Sequence, residues 1–139
     1  MKGVRKILIA VNGSLKPLEE GLKLARDEKS WVTVVKVVPP YEGDINLTGI
    51  KDIEGAMGGF ERSQLGEIYG MAEAERALIK IKVLEGDIHR KIIEAAEEER
   101  CDLIVMGAPK RSGLGRLFGD KTLEKVINGT TRPVLVVDA

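Results

Sequence analysis

At 139 residues, with 43% apolar and 32% charged side chains, the chain has the length and composition of one domain able to bury its own core. Its 22 basic residues balance 22 acidic ones, which excludes the electrostatic footprint of a nucleic-acid or anionic-membrane binder and leaves self-association open. The single cysteine, Cys101, excludes an internal disulfide and points to a reducing, cytoplasmic compartment. The opening MKGVRKILIAV carries too short an apolar run for a signal peptide, and no stretch approaches membrane-spanning length.

In chain order, residues 6–11 (KILIAV) read as a first strand. Residues 15–27 follow as a helix, with Leu18, Leu22 and Ala25 on one apolar stripe, Gly21 and Leu24 beside it, and Ser14 placed to cap it. Residues 31–38 (WVTVVKVV) form a second strand. Residues 41–70 hold glycines at 43, 49, 55, 58, 59, 66 and 70, and read as a flexible excursion to 59 followed by a short helix over 60–75. The Gly66–Gly70 spacing marks either close helix packing or a poor helix. Residues 77–84 (ALIKIKVL) alternate apolar side chains with lysine, which suits an edge strand with one wetter face.

Asp87 is placed to cap the next helix, which runs to about Glu99 and buries Ile88, Ile92, Ile93, Ala95 and Ala96. The acidic run 94–99 reads as its solvated face, and Cys101 as a small hydrophobe at the entrance to a strand at 103–106 (LIVM). Leu123, Val126 and Ile127 form the buried face of a last helix ended by Asn128-Gly129, before a strand that opens on Pro133 and closes on Val137. Near-continuous Val/Ile runs suit strands covered on both faces. Their alternation with helices predicts one α/β domain over residues 1–139, built from right-handed βαβ units on a parallel sheet.

Two constellations carry potential chemistry. Ala10-Val11-Asn12-Gly13-Ser14 leaves the first strand, where ligands of open α/β sheets bind, although the same residues also suit a plain turn and cap. Met106-Gly107 then opens a long loop that includes Lys110, Arg111, Ser112, Gly113, Gly115, Arg116, Gly119, Asp120, Lys121 and Thr122 and runs into a helix. Glycines let backbone approach a phosphate, and a helix N-terminus adds unpaired N–H groups. A solvated loop is the plainer reading. The run Gly119-Asp120-Lys121-Thr122 is not a P-loop, because Asp120 interrupts Gly-Lys-[Ser/Thr] and its carboxylate repels phosphate. His89 stands alone in a helix's first turn, and no nucleophile with a base, Cys/His cluster or Gly-x-Ser-x-Gly elbow is present, so catalysis finds little support.

Together, KILIAVNGS, VVKVVPP, LEGDIHRKIIEAAEEERCDLIVMG and EKVINGTTRPVLVVDA resemble the universal stress protein family over most of the chain; only 41–80 lacks a clear match. The resemblance implies a five-stranded parallel sheet in the order 3-2-1-4-5 with helices on both faces. It also implies a homodimer through antiparallel pairing of the last strand, Pro133 to Val137. Some members bind ATP, with Mg as a companion cation, through a Gly-x-x-Gly motif followed at a set distance by Gly-[Ser/Thr]; others lack the motif and do not bind. Aligned on Gly107, the second motif glycine falls on Lys110, the third on Asp120 and the hydroxyl residue on Lys121. Gly119 lies one place early and Thr122 one late, and Asn12 replaces the usual Asp, removing a charge that holds a divalent cation.

On this resemblance Ala10, Asn12 and Val37 line the adenine and ribose, Met106 and Gly107 close the site, and Lys110, Arg111, Ser112 and Gly119 to Thr122 hold the phosphates. The function implied is a regulatory stress-response module binding ATP, AMP or another adenine nucleotide, with slow hydrolysis at most. The alternative is a non-nucleotide-binding dimer that acts on a partner, with Asp120 filling the phosphate niche.

Overall fold

The computed structural model describes residues 3–12, 14–38, 62–108 and 121–138. Through them run β1 (Lys6–Ala10), α1 (Lys16–Glu28), β2 (Trp31–Val38), α2 (Arg62–Ala74), β3 (Ile79–Glu85), α3 (Ile88–Glu98), β4 (Leu103–Gly107), α4 (Thr122–Gly129) and β5 (Val134–Val137). The five strands form one all-parallel sheet in the expected order, β3-β2-β1-β4-β5. The excursion expected at 41–59 lies outside the described residues.

Period-two alternation divides the core between the two faces of the sheet. Ile7 and Ile9 of β1, Val32 and Val34 of β2, and Leu103 and Val105 of β4 pack under Leu18, Leu22 and Ala25 of α1 and Ile68 and Ala72 of α2. Leu8, Ala10, Val35, Val37, Ile104 and Met106 face the other way, under Ile92, Ala95 and Ala96 of α3 and Val126 of α4. The central strands are therefore apolar at nearly every position, each enclosed Ile or Leu contributing about 1.5–3 kcal/mol of burial. β3 is the wetter edge that its alternating lysines predict, and β5 forms the opposite edge.

Several local expectations are corrected. Ser14 does not cap α1: Leu15 holds the N-cap position, and Ser14 Oγ accepts the Lys16 N–H at 3.1 Å from one residue upstream. Asp87 does hold the N-cap of α3, but its carboxylate makes no capping bond and stands 3.4 Å from His89 Nδ1. Ile127 is 48% exposed rather than buried, because the short α4 turns Val126, and in part Leu123, into the core while packing beside α3. Glu99 leaves the solvated acidic face and turns under β3. Gly66 and Gly70 have open space where a Cβ would stand, so their spacing reflects no close packing.

The ends of the helices nearest the strand starts share one construction. Ser30, Ala77 and Cys101 donate their N–H groups back to the carbonyls of Ala25, Ala72 and Ala96, each at 2.9 Å. The preceding residues, Lys29, Arg76 and Arg100, adopt positive φ of 56°, 54° and 53° and donate to Arg26, Glu73 and Glu97. This is the Schellman turn, repeated three times with a basic residue where glycine is usual.

Candidate functional site

The chain steps from β1 outward through β2 to β3, then returns to the other side of β1 as β4. Segments leaving β1 and β4 therefore part toward opposite faces, and a crevice opens beyond their carboxyl ends. The register places these ends together: Ile9 pairs with Val105, one residue before Ala10 and Met106.

Beyond β1, the Val11 N–H donates to Val35 O at 2.9 Å, which holds the strand in line until Asn12. Asn12 is half-buried and forms an isolated bridge with Ser14, so an amide side chain rather than a carboxylate marks this edge of the crevice. Beyond β4, Gly107 lies opposite Val137, and the Ala108 N–H donates to Val137 O at 2.7 Å. Ala10, Val37 and Met106 are enclosed in the core cluster beneath Ile92 and form the floor below the crevice. Leu123, one residue after Thr122, packs against that same cluster, which brings the start of α4 over the floor. Lys121 is the N-cap of α4 and makes no side-chain capping bond, so it leaves the first-turn amides of the helix to other acceptors.

Sequence reasoning therefore named residues that the fold gathers at one end: Ala10, Asn12, Val37, Met106, Gly107, Lys121 and Thr122. Gly13, Lys110, Arg111, Ser112, Gly119 and Asp120 lie outside the described residues. Among the described residues no group of three or more His, Cys, Asp or Glu is placed to hold a metal ion, and no helix is long and apolar enough to cross a membrane.

The titratable groups with perturbed chemistry cluster at the opposite end, where the strands begin. Asp102 accepts the Arg5 and Lys6 N–H groups at 2.8 and 3.1 Å, and these backbone donors hold its carboxyl below the usual range. Glu99 accepts from Lys80 at 2.6 Å and Lys82 at 3.4 Å, with Thr33 Oγ1 at 3.3 Å. Its carboxyl is lowered chiefly by the Lys80 hydrogen bond. Burial pushes the Cys101 thiol up to about 11, which leaves it an inert part of the core rather than a nucleophile. The sequence reading missed the Glu99 network. Its signal was the pairing of Lys80 and Lys82, two residues apart on one face of β3, with an acidic helix end.

An open, doubly wound α/β sheet with its crevice at the β1–β4 switch point defines a class of proteins that bind ligands at the carboxyl ends of their strands. Residues 3–138 match the sequence model described as the Universal stress protein family. The chain is 33% identical over 143 residues to universal stress protein MJ0531 of Methanocaldococcus jannaschii, an alignment covering 96% of this chain and 81% of that protein. The chain belongs to the universal stress protein family.

Solved structures share the fold, among them two complexes. One, a universal stress protein in complex with cAMP, superposes with a TM-score of 0.69 at 21% identity over 97% of each chain. The other, the universal stress protein from Archaeoglobus fulgidus in complex with dAMP, gives 0.67 at 20% identity over 95% of this chain and 96% of that one.

Proposed function

We propose that this chain is a cytoplasmic, homodimeric universal stress protein that binds an adenine nucleotide and acts as a regulatory module, with slow hydrolysis at most. The observation that carries this reading is the crevice at the β1–β4 switch point, flanked by half-buried Asn12, by Gly107 and by the start of α4, whose N-cap Lys121 makes no side-chain capping bond. The bound cAMP and dAMP of two proteins with the same fold support the choice of nucleotide. Asn12 and Val37 contact adenine and ribose over the floor made by Ala10 and Met106, and Gly107 closes the site. Gly119, Asp120, Lys121 and Thr122 present backbone N–H groups to phosphate, assisted by Lys110, Arg111 and Ser112. Because Asn12 supplies no carboxylate, binding depends little on Mg.

A second reading rests on Asp120, which directly precedes the N-cap of α4. Its carboxylate occupies the phosphate position, and the dimer serves a partner protein without nucleotide. Calorimetry and thermal shift with ATP, AMP, cAMP and a sugar-phosphate control, each with and without Mg, separate the two. A nucleotide at about 100 times its dissociation constant stabilises the fold by about 2.7 kcal/mol, roughly 10 °C for a chain of this size. If no adenine nucleotide shifts the transition at millimolar concentration, the first reading fails. Binding gained by Asp120→Gly establishes the second.

A further inference from the structure

At the opposite end of the sheet from the crevice, large apolar side chains face solvent at one corner. Trp31, the only tryptophan, opens β2 and is 61% exposed; Leu78, just before β3, is 62% exposed; Tyr69 of α2 is 55% exposed. Val32 pairs with Ile79, so one step earlier Trp31 stands beside Leu78. Both are set on fixed backbone: the Trp31 N–H donates to Arg5 O at 2.8 Å, and the Val32 N–H to Leu78 O at 3.1 Å. A cavity of about 380 Å³ opens between them and the ends of α1 and α2, with Ala77 in its wall and Arg26, Lys29 and Arg76 around it. Tyr69 borders a neighbouring cavity that shares Arg76, Ala77 and Leu78.

The cavity beside Trp31 is lined by Arg26, Lys29 and Arg76 against one carboxylate, Glu75, while Glu73 lines the neighbouring cavity. Arg26 is held by Glu75 at 2.7 Å and by Asp27 at 3.3 Å, but Lys29 and Arg76 have no ion-pair partner among the described residues. Their αL turns fix the backbone of both at the rim of the cavity they line. Trp, Tyr and Arg around an apolar pocket are the residue types that dominate protein-binding hot spots.

We infer that this corner is a docking surface for a partner protein's acidic segment, whose apolar side chain enters the cavity beside Trp31 and Leu78 while its carboxylates meet Lys29 and Arg76. The segment is not placed along the β3 edge, where Lys80 and Lys82 discourage a further strand. Two free cations beside a concave cavity fall short of the basic cluster that an anionic membrane requires. Nucleic acid lacks both an apolar anchor and, on a chain of zero net charge, an electrostatic draw. The corner lies at the sheet edge remote from β5, so pairing through β5 leaves it open, and its test does not depend on nucleotide.

Because Trp31 is the sole tryptophan, its emission reports directly on the surface. The intact protein is titrated with a tryptophan-free peptide of about a dozen residues, rich in Glu and carrying a central Leu-Phe pair. The expected result is a saturable blue shift that weakens with salt. Lys29→Glu with Arg76→Glu lowers the affinity about tenfold or more, and Leu78→Ser abolishes the shift while circular dichroism remains native. Emission unchanged up to about 1 mM peptide overturns the proposal. Equal binding of the lysine-for-glutamate peptide does so too, as does a shift produced only by phosphatidylserine vesicles or by single-stranded RNA.

Discussion

Gly21 sits in the middle of α1, where glycine costs about 1 kcal/mol relative to alanine. A Cβ there would stand 2.5 Å from Cδ1 and 2.9 Å from Cγ1 of Ile9, a side chain fully enclosed in the core. The glycine therefore lets α1 approach β1 closely, and the clash outweighs the gain in helix propensity. Gly21→Ala is expected to lower stability by about 1–3 kcal/mol in a denaturant titration. Adding Ile9→Val, which removes Cδ1, is expected to recover part of that loss, giving a favourable coupling in the double-mutant cycle. A more stable single variant would show that propensity wins. The sequence places Gly21 beside the apolar stripe, but periodicity carries no information about interaxial distance, so its reason appears only in the packing.

At the scale of elements, helix endings were the least legible feature. A Gly after the last apolar residue predicts a left-handed exit, and only α4 offers one. Yet Gly129 lies within α4, where a Cβ would meet Ile93 Cδ1 at 2.7 Å, and Thr130 leaves the helix in extended conformation. The left-handed exits fall instead on Lys29, Arg76 and Arg100. A side chain there costs about 1–2 kcal/mol, partly offset by a cation's attraction to the helix C-terminus, about 0.3–1 kcal/mol. Arg100→Gly, which lies apart from the corner at Trp31, is expected to raise stability by about 0.5–1 kcal/mol, seen as a higher denaturant midpoint at unchanged slope. An unchanged or lower midpoint would show that the cation outweighs the strain. Strands were legible because burial on both faces leaves a continuous apolar run. Ile127 was misread because on so short a helix neighbouring positions fit one stripe equally well, and only Val126 reaches the sheet fully.

For the whole molecule, strand order decides what each border of the sheet is free to do. It was legible because the resemblance supplied a topology, whereas much of the candidate site falls between β4 and α4, where glycines and charges set no periodicity. The two edges are built differently. β3 carries Lys80 and Lys82, which discourage a further strand, whereas β5 reads VLVV, with no charge and with Val136 41% exposed. An uncharged apolar edge of this kind suits strand pairing, which supports the proposed dimer through Pro133 to Val137. Leu135 and Val137 pack inward on one face and Val134 on the other, so Val136 is the position where charge reaches the edge without entering the core. Val136→Lys is therefore expected to convert a dimer into a folded monomer in sedimentation velocity at micromolar concentration, with helical content unchanged. The docking response at Trp31 should survive in that monomer, since β5 and the β2–β3 corner stand at opposite edges of the sheet. A parent chain that sediments as a monomer, or a variant that remains dimeric, would remove β5 as the dimer contact.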